Sequence, residues 1–341
     1  MKRSELNYNK NSEDLFAIVA DEHWSMFLDS GYPKIDKGRY DIIVARPVIT
    51  LETYDGVTEI TQNGKTITSS DDPFVLLKRY LGDKDQNLSG LPFCGGALGY
   101  FSYDLGRNIE LITNTVDSDV QMPDMAIGIY DWAVIVDHHL RRTWLASFCR
   151  FKETESQWQE LQSMFMDVPE YNAAKFRTTS DVVSNMSKAD YANAFDRVKD
   201  YILEGDCYQV NLAQRFSVGF EGNTWDAYIR LRKLNAAPFA AYINLPKGVV
   251  LSSSPERFLR LIDRQVETKP IKGTKHRSVF AYEDKALAEC LLESEKDRAE
   301  NLMIDTISVR AANLVQLLYL NCLRWKPMPQ SIIWLAQYQA G

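Results

Sequence analysis

Short turn signals set between alternating runs constrain this chain most, because they commit its first half to antiparallel pairs of strands. Asn63-Gly64 is a dipeptide whose two residues both accept positive φ, as a two-residue hairpin requires. Ile129 to Val136 is an apolar run, His138-His139 starts a polar turn, and Thr143 to Phe148 runs back, which predicts a second hairpin. Tyr40 to Thr53 carries Ile42, Val44, Val48 and Leu51 among polar neighbours. Pro47 has no amide hydrogen to give a ladder, so that run is expected at a sheet edge or a bulge.

Helices enter later. The polar stretch around Val168 to Ser187 reads as a link, and Ser187 can cap a helix. Tyr191, Phe195, Val198 and Ile202 then recur on one face, and Gly205 ends the helix. A strand is expected over Tyr208 to Phe220, then a helix carrying Trp225, Tyr228, Ile229 and Arg232. Ala240 to Leu245, Val249 to Ser253 and Phe258 to Ile262 read as strands, and Tyr282 to Met303 is helical in composition. Strands and helices mix without regular βαβ alternation, which predicts an α+β fold rather than a doubly wound sheet.

Composition removes several function classes. The 39 Lys and Arg against 46 Asp and Glu leave a charge of −7, and no basic block stands out, so nucleic acid is a poor partner. No apolar run approaches the ~18 residues of a membrane span. The start, Met1 to Tyr8, lacks the apolar core of a signal peptide, so a cytoplasmic location is expected. The five cysteines are scattered without a C-x-x-C pair and read as reduced thiols. The four histidines have no metal-ligand spacing. Gly64-Lys65-Thr66 is not a phosphate loop, because Glu59 stands where that loop needs glycine. Gly95-Gly96-Ala97-Leu98-Gly99 is not a dinucleotide fingerprint and reads as a turn with positive φ.

Two segments carry candidate chemistry. In Ser254-Pro255-Glu256-Arg257 and Pro270-Ile271-Lys272-Gly273-Thr274, a glutamate and a lysine each follow a strand-like run beside Pro or Gly. A desolvated Lys272 amine can act as a nucleophile and Glu256 can move its proton; a surface glutamate and lysine is the other reading. Ser294 to Asn301 reads as a solvated helix face, or at Glu300 as a ligand for a hard cation.

These motifs gain meaning from their order. Gly95-Gly96-Ala97-Leu98-Gly99-Tyr100, Tyr103-Asp104, Gly205 to Asn211, Ser254-Pro255-Glu256, Pro270 to Thr274 and Asp297 to Ile304 succeed one another as in the chorismate-utilising enzymes. The chain resembles the aminodeoxychorismate synthase component I branch of that family, which also includes anthranilate synthase component I. The resemblance runs from about Trp24 to Ile304 and implies a two-sheet β-sandwich with helices outside. It implies amination of chorismate at C4 on the route to 4-aminobenzoate and folate, with ammonia from a separate glutamine amidotransferase subunit. Lys272 is then the nucleophile, Glu256 the general acid and base, and Gly273 and Thr274 bind substrate. Anthranilate synthases carry alanine where Lys272 stands, which disfavours that branch. Glu300 is implied as one of two glutamates holding Mg2+. A tryptophan pocket is implied at Ser30, Lys37, Gly38, Arg39, Tyr40, Pro238, Phe239 and Ala240, where a core seam between sheets is the alternative.

By the same resemblance, residues 1–170 form an N-terminal region and 171–304 an incomplete catalytic region. Residues 305–341 depart from the family, whose glycine-rich substrate segment and second magnesium glutamate would follow. Read one base earlier, the codons allowed for Tyr319 to Gly341 permit V-P-E-L-F-E-V-E-T-Y-A-S-V-H-H-L-V-S-T-I-S-G, which is similar to the family's own continuation. The tail is therefore expected to be a shifted reading frame, which the DNA sequence would show. Without those later elements this particular chain is expected to be inactive although its family is enzymatic, and a non-catalytic tryptophan- or partner-binding remnant is the alternative reading.

Overall fold

The computed structural model describes residues 1–35, 38–82, 90–110, 120–262 and 265–302, with the backbone of 332–333. The chain opens with β1 (Lys2–Leu6), α1 (Ser12–Ala17), β2 (Met26–Asp29) and β3 (Tyr40–Val44). A run of hairpins follows: β4 (Ile49–Tyr54), β5 (Val57–Gln62) and β6 (Lys65–Ser69), then α2 (Pro73–Leu81). Next come β7 (Gly96–Phe101), β8 (Met125–Tyr130), β9 (Trp132–Asp137), β10 (Arg142–Ser147), α3 (Lys152–Ser156) and α4 (Trp158–Met164). Two-residue strands β11 (Arg177–Thr178) and β12 (Val183–Ser184) precede α5 (Lys188–Glu204). Their partners β13 (Phe216–Ser217) and β14 (Phe220–Glu221) lead into α6 (Thr224–Leu234). The rest is β15 (Phe239–Leu245), β16 (Gly248–Ser254), β17 (Arg257–Ile262), β18 (Gln265–Lys269) and α7 (Ala281–Glu293), with a further helix over 295–302.

Two antiparallel sheets form the centre. One has seven strands in the order β1-β10-β9-β3-β2-β15-β16, and the other five in the order β6-β5-β4-β8-β7. They face each other. Met26, Leu28, Ile42, Val44, Ile135 and Ile243 of the large sheet share one core with Leu98, Ala126 and Tyr130 of the small one. Successive strand residues point to opposite faces, so Phe27, Ile43, Val134 and Tyr242 turn the other way and pack under α1, α4 and α6. The outer face of the small sheet, with Ile49, Leu51, Ile60 and Ile127, is covered by Leu76 of α2. The result is the α+β sandwich with outside helices that the motifs implied, and its seven-stranded sheet draws strands from both sides of residue 170.

Asn63 (φ 51°) and Gly64 (φ 71°) close β5 onto β6, as expected of their turn. Three expectations change. Pro47 does not mark an edge: it lies where the chain leaves β3 in one sheet and enters β4 in the other, both interior strands. A residue with no amide hydrogen costs nothing between ladders. The apolar run Ile129 to Val136 is not one strand. It crosses between sheets at Asp131, whose buried carboxylate accepts the amides of Arg150 (3.0 Å) and Phe151 (3.1 Å). Tyr208 to Phe220 holds only the short β13 and the start of β14, and its large side chains are mostly exposed. No helix among the described residues is long and apolar enough to cross a membrane.

Candidate active site

β16 delivers the chain to Glu256. Ser254 Oγ donates to the Glu256 carbonyl (3.1 Å), and Pro255 turns the chain before β17. The Glu256 side chain is buried, and its Oε1 accepts the amide of Ile271 at 2.6 Å. That bond ties the start of β17 to the segment after β18, one residue before Lys272. Lys272 is half-buried, and among the described residues no carboxylate pairs with it. The bond thus sets a buried carboxylate against the backbone that leads into a half-buried lysine.

Gly273 follows in the left-handed region (φ 74°). A Cβ there would lie 2.6 Å from Asp297 Cγ and 2.7 Å from Leu291 Cδ1, so only glycine lets the loop press so closely on α7 and the next helix. Ser294 caps that helix, accepting the Asp297 amide at 3.3 Å. Three residues on from Asp297, half-buried Glu300 lies on the same helix face. The structure thus brings Glu256 to the backbone beside Lys272 and, through Gly273, brings that loop to the helix bearing Glu300. Thr274 is exposed. No group of three metal-holding side chains occurs among the described residues, and one glutamate does not make a magnesium site.

The second expected constellation gathers where β2 meets β15. Ala240 pairs with Asp29, and a Cβ on Gly38 would touch the Ser30 carbonyl at 2.7 Å and its Oγ at 3.0 Å. Ser30, Gly38 and Pro238-Phe239-Ala240 therefore lie around one seam, and Lys37 is outside the described residues. Arg39 turns away to the buried Asp137 carboxylate (3.0 Å), with its guanidinium 4.5 Å over the Tyr40 ring. Burial opposes ionisation of Asp137, but its bonds from Arg39 and the Leu140 and His139 amides hold it below the usual carboxylate range.

Hidden in the sequence is the polar network behind Ser30. Asp41 Oδ1 accepts both the Ser30 amide and its Oγ at 2.8 Å, and Oδ2 is met by Ser12 Oγ and, at 2.8 Å, by His138 Nε2. Tyr8 Oη stands 3.2 Å from His138 Nδ1, and the Tyr32 ring stacks on the imidazole at 4.1 Å. His138 begins the expected turn, and its ring is fully buried because Asp41 gives it a partner in the core. Burial pushes the Asp41 carboxyl up, but His138 and the hydroxyl and amide donors hold it below its ordinary value. Alongside, Asp29 receives Arg232 Nε (2.6 Å) and Tyr228 Oη (3.1 Å), and Arg232 Nη1 reaches Glu13 (3.1 Å). Charged residues inside apolar strands, Asp29 after Met26-Phe27-Leu28 and Asp41 before Ile42-Ile43-Val44, were the available signal.

The chorismate binding enzyme family model matches residues 26–311. The chain is similar to aminodeoxychorismate synthase component 1 of Klebsiella aerogenes, 42% identical over 296 residues, covering 86% of this chain and 64% of that one. The protein of the same name from Escherichia coli (strain K12) gives the same identity and coverage. This chain thus spans 64% of the length of these curated relatives, under two thirds. Among solved structures, anthranilate synthase component I from Streptococcus pneumoniae TIGR4 superposes with a TM-score of 0.65 at 28% identity, over 78% of this chain and 60% of that one. With motifs, sandwich and family model all agreeing over the same stretch, the chain belongs to the chorismate binding enzyme family.

Proposed function

We propose that the chain carries the amination chemistry of an aminodeoxychorismate synthase component I, turning chorismate and ammonia into 4-amino-4-deoxychorismate. The observation that carries this reading is the Glu256 carboxylate bonded at 2.6 Å to the amide beside Lys272. The Lys272 amine attacks ring carbon C2; the C1=C2 and C5=C6 double bonds shift to C1=C6 and C4=C5. Protonated Glu256 gives its proton to the 4-hydroxyl, which leaves as water, and recovers one from the new ammonium. Ammonia then adds at C4, the double bonds return to C1=C2 and C5=C6, and Lys272 leaves C2 as a neutral amine, its nitrogen protonated by Glu256, which recovers a proton from the new C4 ammonium. Gly273 and Thr274 border the substrate, and α7 and the helix over 295–302 wall the loop. An alanine at 272 could not form this adduct, so the lysine favours amination at C4 over anthranilate chemistry.

In this reading residues 171–304 hold the chemistry, residues 1–170 supply most of the sandwich, and no part in the chemistry is assigned to 305–341. The ammonia comes from a glutamine amidotransferase subunit, and the site of action is the cytoplasm. A Mg2+ held by Glu300 is carried by the resemblance; the described residues supply too few ligands for it, so no step is routed through it. One observation favours a second reading, a non-catalytic tryptophan-binding remnant. The Ser30 side of the seam is backed by a completed hydrogen-bond network, whereas the segment from Ile271 to Phe280 is largely exposed.

Purified chain is incubated with chorismate, Mg2+ and excess ammonium, which bypasses the partner. The expected result is 4-amino-4-deoxychorismate and a chorismate-derived mass on Lys272 that is absent from Lys272→Ala. Adduct on another side chain overturns the mechanism. No product together with tryptophan binding by calorimetry establishes the second reading.

A further inference from the structure

Arg257 stands between the two constellations. It opens β17, directly after Glu256, and its guanidinium lies 5.4 Å over the Phe239 ring at the start of β15. Its Nη2 is 2.6 Å from Glu267 Oε1 on β18. Residues three apart on a strand point to opposite faces, yet Arg257 and Arg260 both reach Glu267. The cause is a register shift: Arg257 pairs with Lys269 and Arg260 with Glu267, so β17 carries one extra residue between them. Such a bulge re-aims a side chain, here Arg257 towards Phe239.

The arrangement has a cost. Arg257 Nε and Nη2 are buried, and among the described residues neither makes a well-aligned hydrogen bond. A surface arginine would escape that cost by swinging into water. This one is kept by the ring face, which attracts the cation, and by the Glu267 carboxylate. Burial pushes Glu267 up, but Arg260, Arg257 and Lys269 together hold it below its usual value, so it stays anionic at neutral pH.

We propose that Arg257 is a positioning residue for the Lys272 chemistry: clasped between Phe239 of the large sheet and Glu267 of the β17–β18 hairpin, it sets the hairpin's angle to the sheet and so holds Glu256 on the Ile271 amide. The proposal rests on the reading of Lys272 as nucleophile. Arg257 touches no reacting atom; it fixes where the acid stands relative to the amine.

The test compares wild-type chain with Arg257→Met, which keeps the stem and removes the cation, Arg257→Lys, which keeps a cation, and Phe239→Leu, which removes the ring. Amide exchange of Ile271 reads the Glu256 bond directly, and the rate of chorismate adduct formation on Lys272 reads its consequence. In Arg257→Met, Ile271 is expected to exchange about fivefold faster, the size of a shielded cation–ring contact. Adduct formation slows by a like factor at unchanged half-saturating chorismate. Phe239→Leu reproduces the effect, Arg257→Lys recovers most of it, and amides of β2, β3 and β9 keep their rates. If Ile271 exchange is unchanged in both Arg257→Met and Phe239→Leu, or if the lysine rescues nothing, the proposal falls. General acceleration across the large sheet with a lowered thermal midpoint would reduce Arg257 to a stabilising role and equally overturn it. Absence of any Lys272 adduct in wild-type chain refutes the catalytic reading instead, while Ile271 exchange still decides the clasp.

Discussion

α5 and α6 begin from the same kind of sequence and end in opposite environments. Both open on a polar cap: Ser187 accepts the Asp190 amide at 3.1 Å, and Asn223 accepts the Trp225 amide at 2.7 Å. Both carry an apolar stripe at helical spacing. In α6 the stripe sinks into the core, where Trp225, Tyr228 and Ile229 pack on Phe16, Phe27 and Tyr242, with Trp225 and Tyr228 stacked at 5.3 Å. In α5, although it has 17 residues and a complete capping box, no residue is buried. Capping and periodicity mark where each helix begins and ends, whereas burial needs a complementary face, and of these two helices α6 has one among the described residues.

The largest expected effect tests that contrast directly. Trp225→Ala removes a fully buried indole and should cost about 3–5 kcal/mol in urea unfolding. Leu203→Ser on α5, at a side chain 82% exposed, should change stability by less than about 0.5 kcal/mol. Comparable losses at both positions would show that α5 is packed in solution and would erase the distinction.

The same contrast explains what could be read from the sequence. Local signals translated well: Asn63-Gly64 made its hairpin, and Ser187 to Gly205 bounded its helix within a residue. Features that depend on distant partners did not. His138 looked like half of a polar turn because Asp41, 97 positions away, is what keeps it buried. The strand break at Asp131 has no alternation to mark it, because β8 and β9 are buried on both faces, and the charge of Asp131 within an apolar run was the available signal. Glu256 and Lys272 are candidates from the Pro and Gly beside them, and the order of several motifs sets them apart from a surface pair. The bond that joins their segments runs between side chain and backbone, which no spacing rule anticipates. Arg257 stands within its motif, but the aim of its side chain depends on a bulge that the residues do not announce.

A smaller effect sharpens the α6 side. Arg232 is the charged edge of that helix, buried against Asp29 and Glu13, and replacing it by Met should cost about 3 kcal/mol near neutral pH because Asp29 loses its partner. Burial and the neighbouring Asp41 already push the Asp29 carboxyl above its ordinary value of 3.8, against the pull of Arg232. A carboxyl raised in the folded state binds its proton more tightly there, so its contribution to stability falls as pH climbs from the unfolded pKa through the folded one. Without Arg232 the folded value rises further and that window widens upward. The penalty of Arg232→Met should therefore be smallest below about pH 4 and grow towards pH 7, measured as urea midpoints across that range. A loss that does not vary with pH would assign the cost to the lost packing of the arginine stem.

The smallest effect belongs to α5 and is the most diagnostic of its isolation. Ser187 and Asp190 form a reciprocal box, with the Ser187 amide donating to Asp190 Oδ2 at 3.1 Å, and these bonds keep the Asp190 carboxyl below its usual value. Ser187→Ala removes the cap and should weaken the helix by about 1 kcal/mol. Because no α5 side chain is buried, that loss should stay local. Amides in the first turns of α5 should exchange about fivefold faster, the equivalent of that cap energy, while the urea midpoint of the sandwich stays where it was. A cap mutation that lowers the global midpoint by the full amount would mean that α5 and the seven-stranded sheet unfold as one unit, against the expectation from a helix with no buried side chain.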